Sequence, residues 1–276
     1  MIGDSRQTIR DSFLAAIRRE PVIMGILNVT PDSFSDGGRH VAFENAMQHA
    51  ARMMQSGCSI IDIGGESTRP GAEAVPEKEE LLRVTPVVAA IYDNLDVPIS
   101  IDTYKAAVAR EAARLGAVLV NDVWGLQKDP LMGEVVAETG SAVVVTHNRN
   151  SVDASIDIID DIRRFFDISL SIAARAGIPV NHIILDPGVG FGKTLKQNLD
   201  CVWRLDQLAS YGLPLLLGAS RKSFLGKILH NQVDERLVGS VTANVIGLMR
   251  GASVIRVHDV EEHHAALAVF KAANAP

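Results

Sequence analysis

Polar side chains that could do chemistry recur at intervals along this chain, each near the end of a short apolar run or in the segment that follows it. They are Asn28, Asp62, Asp102, Asn121, Asp186, Lys222, Arg256 and His258. Carboxylates and an amide in a dry site need matched partners, which the N–H donors and carbonyls of a pterin or purine would supply. The basic residues near positions 222 and 256 favour a phosphate-type anion. The residue types therefore predict a ligand with a heterocycle at one end and an anion at the other.

A glycine-rich segment at 186–194 resembles a nucleotide-binding loop, but its pattern does not fit one. The phosphate-binding pattern GxxxxGK[ST] requires glycine where Pro187 stands, and the dinucleotide pattern GxGxxG also fails. We instead predict a backbone turn beside Asp186 that leaves room for a flat ligand. In this interpretation Phe191 stacks on the ligand, and Lys193 faces solvent or an anion.

Two further motifs match known catalytic sites only in part. Segment 218–223 lacks the second glycine of a nucleophile elbow, and a zinc motif of the HxxEH type would need histidine where Glu262 stands. Serine hydrolysis and zinc chemistry are therefore disfavoured. We expect the basic residues of 218–223 to open a helix that captures an anion, and His263 and His264 to lie on a solvated helix face.

Eight short apolar runs predict the strands that position these side chains. They cover 22–27, 59–63, 98–101, 118–120, 142–146, 182–185, 213–217 and 253–257. Segments with apolar residues three and four positions apart predict the helices that follow them. They cover 43–55, 78–94, 105–115, 131–138, 158–176, 197–210, 236–249 and 261–273. Because strand and helix alternate eight times, we predict an α/β fold of the (β/α)8 TIM barrel type, with a doubly wound open sheet as the alternative.

The predicted elements form a single domain preceded by a short helix. A helix at 8–19 carries Ile9, Phe13 and Ile17 on one face and is expected to cover the bottom of the barrel. We take residues 1–20 as a helical extension and 21–276 as the barrel domain.

Two loops follow the first and second predicted strands and are too long for tight connectors. They cover 30–38 and 64–71. Since the site of such a barrel forms at the carboxyl ends of its strands, we expect both loops to be functional, with Phe34 in a lid that closes over the ligand.

Composition excludes several classes of function. The 276 residues carry a formal net charge of −6, which argues against nucleic-acid binding and against adhesion to anionic membranes. No apolar run approaches the roughly 18 residues of a membrane span, so we expect a cytoplasmic protein without a membrane segment. Cys58 and Cys201 lack a CxxC partner, so neither a disulfide framework nor a zinc knuckle is indicated.

Five long motifs carry a resemblance to a known family. They are 24–38 (MGILNVTPDSFSDGG), 62–71 (DIGGESTRPG), 186–193 (DPGVGFGK), 220–224 (SRKSF) and 256–259 (RVHD). In this order they resemble the motifs of bacterial, monofunctional dihydropteroate synthases. The resemblance implies a TIM barrel that joins 6-hydroxymethyl-7,8-dihydropterin pyrophosphate to p-aminobenzoate, giving 7,8-dihydropteroate and pyrophosphate in folate biosynthesis.

The resemblance also assigns roles to individual residues. It implies that the pterin is bound by Asp102, Asn121, Asp186 and Lys222. It implies that the pyrophosphate is held by Arg69, Arg256, His258 and, by way of Mg2+, Asn28. It implies that p-aminobenzoate is bound by Thr68, Pro70, Phe191 and Ser223, and that the first loop closes through Phe34 and Asp36. The catalytic residues would be Lys222, Asp102, Asp186 and Arg256. The chain departs from the common family pattern at Thr146, where methionine often precedes the histidine.

The expected mechanism is cleavage of the C–O bond at the pterin methylene ahead of attack by the arylamine, with carboxylates that stabilise the ring cation without acting as nucleophiles. Two alternatives stay open: a pterin-dependent methyltransferase, and a catalytically silent barrel that binds pterin or phosphate. The resemblance further implies competition by sulfonamides and a homodimer formed through the later helices. A candidate apolar stripe for that contact consists of Val238, Val241, Val245 and Leu248.

Overall fold

The computed structural model describes residues 2–29, 38–67 and 74–274, and within these ranges eight parallel strands form one sheet. The strands are β1 (Val22–Asn28), β2 (Ile60–Gly64), β3 (Ile99–Asp102), β4 (Leu119–Asp122), β5 (Ala142–Thr146), β6 (Ile183–Asp186), β7 (Leu216–Leu217) and β8 (Val254–Val257). They pair in the order β6-β5-β4-β3-β2-β1-β8-β7. A parallel bridge between Leu185 and Leu215 brings the two ends of the sheet together. The predicted (β/α)8 barrel is confirmed, and the open sheet is wrong.

Ten α-helices occur in the described ranges and surround the strands. They are α1 (Ile2–Arg19), α2 (Gly38–Gln55), α3 (Glu77–Asn94), α4 (Ala106–Arg114), α5 (Met132–Thr139), α6 (Ile158–Ala176), α7 (Leu195–Trp203), α8 (Ser223–Leu229), α9 (Leu237–Met249) and α10 (Val260–Ala273). Short 3-10 helices cover Val180–His182 and Leu205–Tyr211. None of these helices is long and apolar enough to cross a membrane.

Local capping residues fix the ends of the two helices that flank the glycine-rich segment. Asp157 begins α6 by accepting the backbone N–H groups of Ile159 and Asp160, and Gly177 ends the helix with a left-handed φ of 81°. Thr194 and Gln197 form a reciprocal capping box at the start of α7. The capping box sets the point at which the chain leaves the segment that follows β6.

The polar residues at the strand ends belong to the strands, which differs from the prediction. Asn28, Asp102 and Asp186 are the last residues of β1, β3 and β6, whereas the predicted strands end one residue earlier. Ladder bonds use backbone groups, so a polar side chain does not end the pairing. The register pairs Asp102 with Asn121 and Thr146 with Asp186. Strands rather than loops therefore hold these side chains.

Other element bounds also differ from the prediction. Helix α1 begins at Ile2 instead of residue 8, and the predicted helix 197–210 divides into α7 and a 3-10 helix. Helix α8 is the helix that the basic residues of 218–223 were expected to open. Strand β7 begins at Leu216 rather than at 213. Pro214 has no N–H group to donate, although its carbonyl accepts the N–H of Leu185 at 2.9 Å.

Alternating side chains of the strands separate two apolar layers. Outward-facing residues such as Ile61, Ile99 and Ile101 pack with the surrounding helices. Inward-facing residues such as Met24, Ile60 and Leu119 fill the lower part of the barrel. Since inward positions recur every second residue, the next inward position of several strands lies at the carboxyl end, where the polar residues stand.

Helix α1 packs against the amino-terminal end of the barrel. Phe13, Leu14 and Ile17 are buried together with the inward-facing residues at the strand starts. Arg6 NH1 donates to the carbonyl of Ala117 at 2.9 Å, just before β4. The helix thereby covers the end of the barrel opposite to the polar strand ends.

Candidate active site

Inward-facing side chains at the carboxyl ends of the strands form a polar layer above the apolar interior. Each lies two positions after an inward-facing apolar residue or beside an inward-facing neighbour in the ladder. The members are Asp62, Ser100, Asp102, Asn121, Thr146, Asp186 and Arg256. All of them except Arg256 are buried. The structure thus brings together Asp102, Asn121, Asp186 and Arg256, which the sequence selected.

Arg256 in β8 joins two buried carboxylates across the barrel. Its Nε donates to Asp62 Oδ2 at 2.6 Å, and its NH2 donates to Asp102 Oδ2 at 2.7 Å. Asn121 Nδ2 donates to the same oxygen of Asp62 at 2.8 Å. The Nε and NH2 groups of the guanidinium already donate to the two carboxylates. The predicted contact of Arg256 with an anion therefore has to use the remaining N–H groups.

Asp62 is the carboxylate of this layer to which the sequence analysis assigned no specific role. It is fully buried in β2 and accepts from both Arg256 and Asn121. The two-residue spacing could have identified it, because Asp62 lies on the same inward face of β2 as Ile60 and Gly64. Its carboxylate fixes the direction of the Asn121 amide and of the Arg256 guanidinium.

Burial is the main cause of the shifted pKa values in the polar layer and at the neighbouring Lys222. It raises the pKa of Asp102 to about 7, against the opposing effect of Arg256. It also raises the pKa of Asp186, against the opposing effect of Lys222. Burial lowers the pKa of Lys222 to about 8, with Asp186 acting in the opposite direction. Groups perturbed by burial and by specific charge partners in this way are typical of functional sites.

Lys222 lies at the start of α8 and reaches the glycine-rich segment. Its Nζ donates to the carbonyl of Val189 and lies 4.4 Å from the ring centroid of Phe191. Ser223 is exposed as the first residue of α8. The structure therefore places Lys222 between the buried carboxylates and the two residues expected to bind p-aminobenzoate.

The backbone before Lys222 is held in an unusual conformation. Arg221 has a left-handed φ of 56° although it is not glycine. Its Nε donates to Asp259 Oδ2 at 2.9 Å, and its backbone N–H donates to Ser240 Oγ at 2.8 Å. These contacts tie the segment after β7 to the starts of α9 and α10, and they fix the direction in which Lys222 leaves the backbone.

His258 lies after β8 and contacts the same segment. Its Nδ1 is 3.1 Å from Ser220 Oγ, and its backbone N–H donates to that oxygen at 3.2 Å. Ser220 directly precedes Arg221, so His258, Arg256 and Lys222 occupy one side of the site. This is the side of the site on which the sequence predicts that an anion binds.

Lys193 does not face solvent or an anion, so that prediction is wrong. Its side chain is buried, and its Nζ hydrogen-bonds His147 Nδ1 at 2.8 Å and the carbonyl of Gly188 at 2.7 Å. The glycine-rich turn folds back over the end of β5, which places the ammonium group underneath the turn. Lys193 is consequently an internal residue of the site wall.

His263 is also placed differently from the prediction. It is buried, its Nδ1 lies 2.6 Å from the carbonyl of Asp259, and its Nε2 lies 3.0 Å from Asn244 Nδ2. The side of α10 that carries His263 packs against α9, so this residue is not solvated. His264 is exposed as predicted.

A second buried ion cluster lies beside the second loop. Lys105 Nζ pairs with the carboxylates of Glu66 and Glu80, and Tyr104 Oη donates to Glu66 Oε1 at 2.9 Å. Arg83 NH1 donates to the carbonyl of Gly65 at 2.8 Å. The sequence analysis missed this cluster, whose members come from α3 and from the segments after β2 and β3. It fixes the chain at the base of the second loop.

A cavity of about 690 Å³ opens at the carboxyl face of the barrel. Its lining includes Phe191 and Ser223, two of the residues expected to bind p-aminobenzoate. Trp124 and Arg149 contribute an aromatic and a basic side chain to the same cavity. The cavity is large enough for an aromatic ring and lies next to Lys222 through Phe191.

Some of the predicted site residues lie outside the described residues. They are Phe34, Asp36, Thr68, Arg69 and Pro70. Thr146 lies within the described ranges, on the inward face beside Asp186, and its hydroxyl is buried.

Asn28 is the residue expected to bind Mg2+. Its side chain is exposed at the end of β1, at the mouth of the barrel. The described part of the chain contains no group of three or more His, Cys, Asp or Glu residues that could hold a metal. Mg2+ commonly binds through one or two protein oxygens together with substrate phosphates and water. A single amide oxygen at the mouth therefore fits a cation that arrives with a phosphorylated substrate.

Replacing Asp102 by asparagine tests the cost of burying this carboxyl group. Because the folded state raises the pKa of Asp102 to about 7, the wild-type protein loses free energy of unfolding as the pH rises from about 4 towards 7. Asp102→Asn removes this titration. The free energy of unfolding of Asp102→Asn, taken relative to that of the wild type, should therefore be higher at about pH 8 than at about pH 5 by on the order of 1 kcal/mol or more.

Urea denaturation at the two pH values measures this difference. Asp93→Asn, at an exposed position of α3, is the matched control and should give the same difference at both values. A difference for Asp102→Asn that does not change with pH would contradict the prediction.

Comparisons with known proteins bear on the same arrangement. Residues 24–258 match the family model described as pterin binding enzyme. Over 242 residues the chain is 48% identical to the dihydropteroate synthase of Clostridium beijerinckii, covering 87% of this chain and 90% of that protein. It is 45% identical over 258 residues to the dihydropteroate synthase of Escherichia coli K12, covering 91% of each chain.

Solved structures show the same likeness. The structure of dihydropteroate synthase from Clostridium difficile in the presence of pteroic acid gives a TM-score of 0.91 at 47% identity, covering 94% of this chain and 98% of that one. The Yersinia pestis dihydropteroate synthase with a sulfonamide drug complex gives 0.88 at 46% identity, covering 94% and 96%. The chain therefore belongs to the pterin-binding enzyme family and, within it, to the dihydropteroate synthases.

Proposed function

We propose that this chain joins 6-hydroxymethyl-7,8-dihydropterin pyrophosphate to p-aminobenzoate, giving 7,8-dihydropteroate and pyrophosphate in folate biosynthesis. The observation that carries the proposal is the two-sided polarity of the site. Asp102, Asn121 and Asp186 present carboxylates and an amide on one side, while Lys222 and Arg256 bring positive charge to the same buried layer. A pterin that carries a pyrophosphate matches both sides.

Ligands named for similar proteins agree with this proposal. One similar structure, from Clostridium difficile, is described in the presence of pteroic acid. Another, from Xanthomonas albilineans, is described with 4-aminobenzoic acid, at 41% identity and a TM-score of 0.90. We extend the pterin and arylamine ligands to this chain, together with sulfonamides as competitors for p-aminobenzoate.

The carboxylates and the amide would bind the edge of the pterin. The N–H groups of the heterocycle would donate to Asp102 and Asp186, and Asn121 can both donate and accept. The C–O bond at the pterin methylene then breaks, and its electron pair leaves with the pyrophosphate oxygen. The positive charge left behind spreads over the dihydropterin ring, where the buried carboxylates stabilise it electrostatically without forming a bond to it.

The basic side of the site would bind the departing pyrophosphate. Lys222 and the remaining N–H groups of Arg256 would offset the negative charge that grows on its oxygens, with His258 beside them. Asn28 would hold Mg2+, which when bound supplies further positive charge to the leaving group. The cations thus stabilise the negative charge on the leaving group, while the carboxylates stabilise the positive charge on the ring.

The arylamine would enter from the cavity at the carboxyl face. Phe191 offers an aromatic surface and Ser223 an exposed hydroxyl. The amine nitrogen would donate its electron pair to the methylene carbon, form the C–N bond and then release a proton. Because Lys222 lies over the ring of Phe191, the two substrate sites share a wall.

Pyrophosphate release tests the proposed function directly. The purified protein, mixed with the pterin pyrophosphate, p-aminobenzoate and Mg2+, should release pyrophosphate and form dihydropteroate in equal amounts. Omitting p-aminobenzoate should abolish dihydropteroate formation. A pterin-dependent methyltransferase or a catalytically silent barrel would form no dihydropteroate, so that result would overturn the proposal.

Replacing Lys222 by alanine should lower turnover by a factor on the order of a hundred or more, because a positioned charge is lost beside the reacting bond. Steady-state kinetics measure the effect. Lys271→Ala is the control, since Lys271 pairs with Glu20 near the end of α1, at the opposite end of the barrel. Near-normal turnover of Lys222→Ala would remove Lys222 from the catalytic machinery.

We further propose that the chain forms a homodimer through α7, α8 and α9. Val238 is 77% exposed, and Trp203 and Ile228 are also exposed on this face. An almost wholly apolar depression of about 440 Å³ lies among these residues. Contiguous exposed apolar residues of this kind favour a protein contact. Leu248, the last residue of the candidate stripe, is buried in the core of the chain and does not contribute to this face.

Replacing Val238 by aspartate should shift the protein from dimer to monomer, because it places a charge in the apolar contact. Sedimentation velocity of the wild type and the variant measures the change. Val269→Asp, at a position of α10 that is 70% exposed, is the control and should remain dimeric. A monomeric wild type, or a Val238→Asp variant that stays dimeric, would refute this assembly.

A further inference from the structure

The ammonium group of Lys193 is surrounded by acceptors of the protein itself. Its Nζ lies 2.8 Å from His147 Nδ1, 2.7 Å from the carbonyl of Gly188 and 3.1 Å from that of Phe191. A lysine ammonium group has three N–H donors, and these three acceptors, with the carbonyl of His147 at 3.5 Å as a more distant fourth, are sufficient for them. The group is therefore satisfied from within and is not directed at a ligand.

His147 carries a neutral ring, and its hydrogen-bond partners show which nitrogen holds the proton. Burial and the neighbouring Lys193 lower its pKa to about 2, so the ring is neutral. Since Nδ1 accepts from Lys193, the proton is assigned to Nε2, which donates to Asp161 Oδ2 at 3.2 Å. A chain of hydrogen bonds therefore runs from Asp161 in α6 through His147 and Lys193 to the turn after β6.

The turn after β6 carries groups that face both substrate sites. The backbone N–H of Gly188 donates to Asp186 Oδ1 at 2.7 Å, on the pterin side. Gly188 has a left-handed φ of 67°, and a Cβ there would lie 1.8 Å from the carbonyl oxygen of His147. On the other side, Phe191 lines the arylamine cavity and lies beneath Lys222. Lys193 binds the carbonyls of both Gly188 and Phe191.

Further contacts hold the same turn, one of them the hydrogen bond from Lys222 to the carbonyl of Val189, and the two nearest to Phe191 do not fix its backbone to the barrel. Gly190 N donates to Asn198 Oδ1 at 2.5 Å, and this ties the turn to α7. Phe191 N donates to the carbonyl of Gly188 at 3.1 Å, and this contact lies within the turn itself. Lys193 alone among these residues connects the carbonyl of Phe191 to a side chain at the end of a barrel strand, His147.

We infer that Lys193 is a positioning residue. It holds the ring of Phe191 in the position required for binding p-aminobenzoate, and it anchors the turn that orients Asp186. The inference rests on the proposed function, since it names a determinant of arylamine binding in that reaction. Asp186 is also held by β6, whereas Phe191 depends on the turn. Loss of Lys193 therefore affects the arylamine side more than the pterin side.

Lys193→Met removes the three donors while keeping a side chain of similar length. The KM for p-aminobenzoate should rise by about tenfold or more, because a misplaced aromatic wall weakens binding of the ring. The KM for the pterin pyrophosphate and kcat should each stay within about threefold of the wild type. Steady-state kinetics with each substrate varied in turn measure this split.

Lys196→Met is the matched control, because Lys196 belongs to the next helix and its side chain is 82% exposed. It should leave all three parameters unchanged. If Lys193→Met does not fold, Lys193→Gln is measured instead, since its amide keeps two N–H donors; it should give the same selective rise at smaller size.

The outcomes separate this inference from the proposed function. A wild-type protein that forms no dihydropteroate overturns the proposed function. An active wild type, together with a folded Lys193 variant whose KM for p-aminobenzoate is unchanged, overturns only the positioning role. A variant in which both KM values rise equally also overturns it, because a general loss of structure would not select one substrate.

Discussion

Two carboxylates and one guanidinium share the dry interior of the barrel, and the rest of the site depends on their pairing. Arg256 reaches Asp62 and Asp102, which lie 194 and 154 positions away in the sequence. Removing one partner of a buried ion pair commonly costs about 3–5 kcal/mol, because the other charge stays buried without compensation. These contacts join β8 to β2 and β3, which are its neighbours in the sheet through β1. Pairing of the last strand with the first strands and assembly of the site are therefore linked.

The barrel separates stability and function along its axis. The lower interior is apolar and is covered by α1, whereas the upper interior carries the charged layer. Oxygens of Asp62, Asp102 and Thr146 are buried without a hydrogen-bond partner among the described residues, and an unsatisfied buried group costs about 1–3 kcal/mol. Acceptors held in this way suit the N–H groups of a heterocycle. Burial of the apolar lower layer offsets the free energy of folding that is lost by leaving these oxygens without a hydrogen bond.

The positions of the strands could be predicted from the sequence, but the partners of the polar side chains could not. Buried parallel strands are apolar on both faces, so their runs are visible, and the inward spacing places Asp102 and Asp186 at one edge. A sequence pattern shows residue types without showing what lies opposite. Lys193 is buried because the turn after β6 folds over His147, which lies 46 positions away, and His263 is buried because α10 packs on α9. Both depend on tertiary contacts that no local pattern encodes.

Two neighbouring turns complete the site, and each is anchored away from the residue that it presents. The turn after β6 presents Phe191 and is anchored through Lys193, whereas the segment after β7 presents Lys222 and is anchored through Arg221 and Asp259. Lys222 lies 4.4 Å from the ring of Phe191, so the position of each turn bears on the other. Residues in contact couple energetically, whereas distant ones act additively. Changes in the two anchors should therefore combine non-additively, although the anchors themselves share no described contact. The two separately supported turns then meet at Lys222, through its aromatic–cation contact with Phe191 and its hydrogen bond to the carbonyl of Val189.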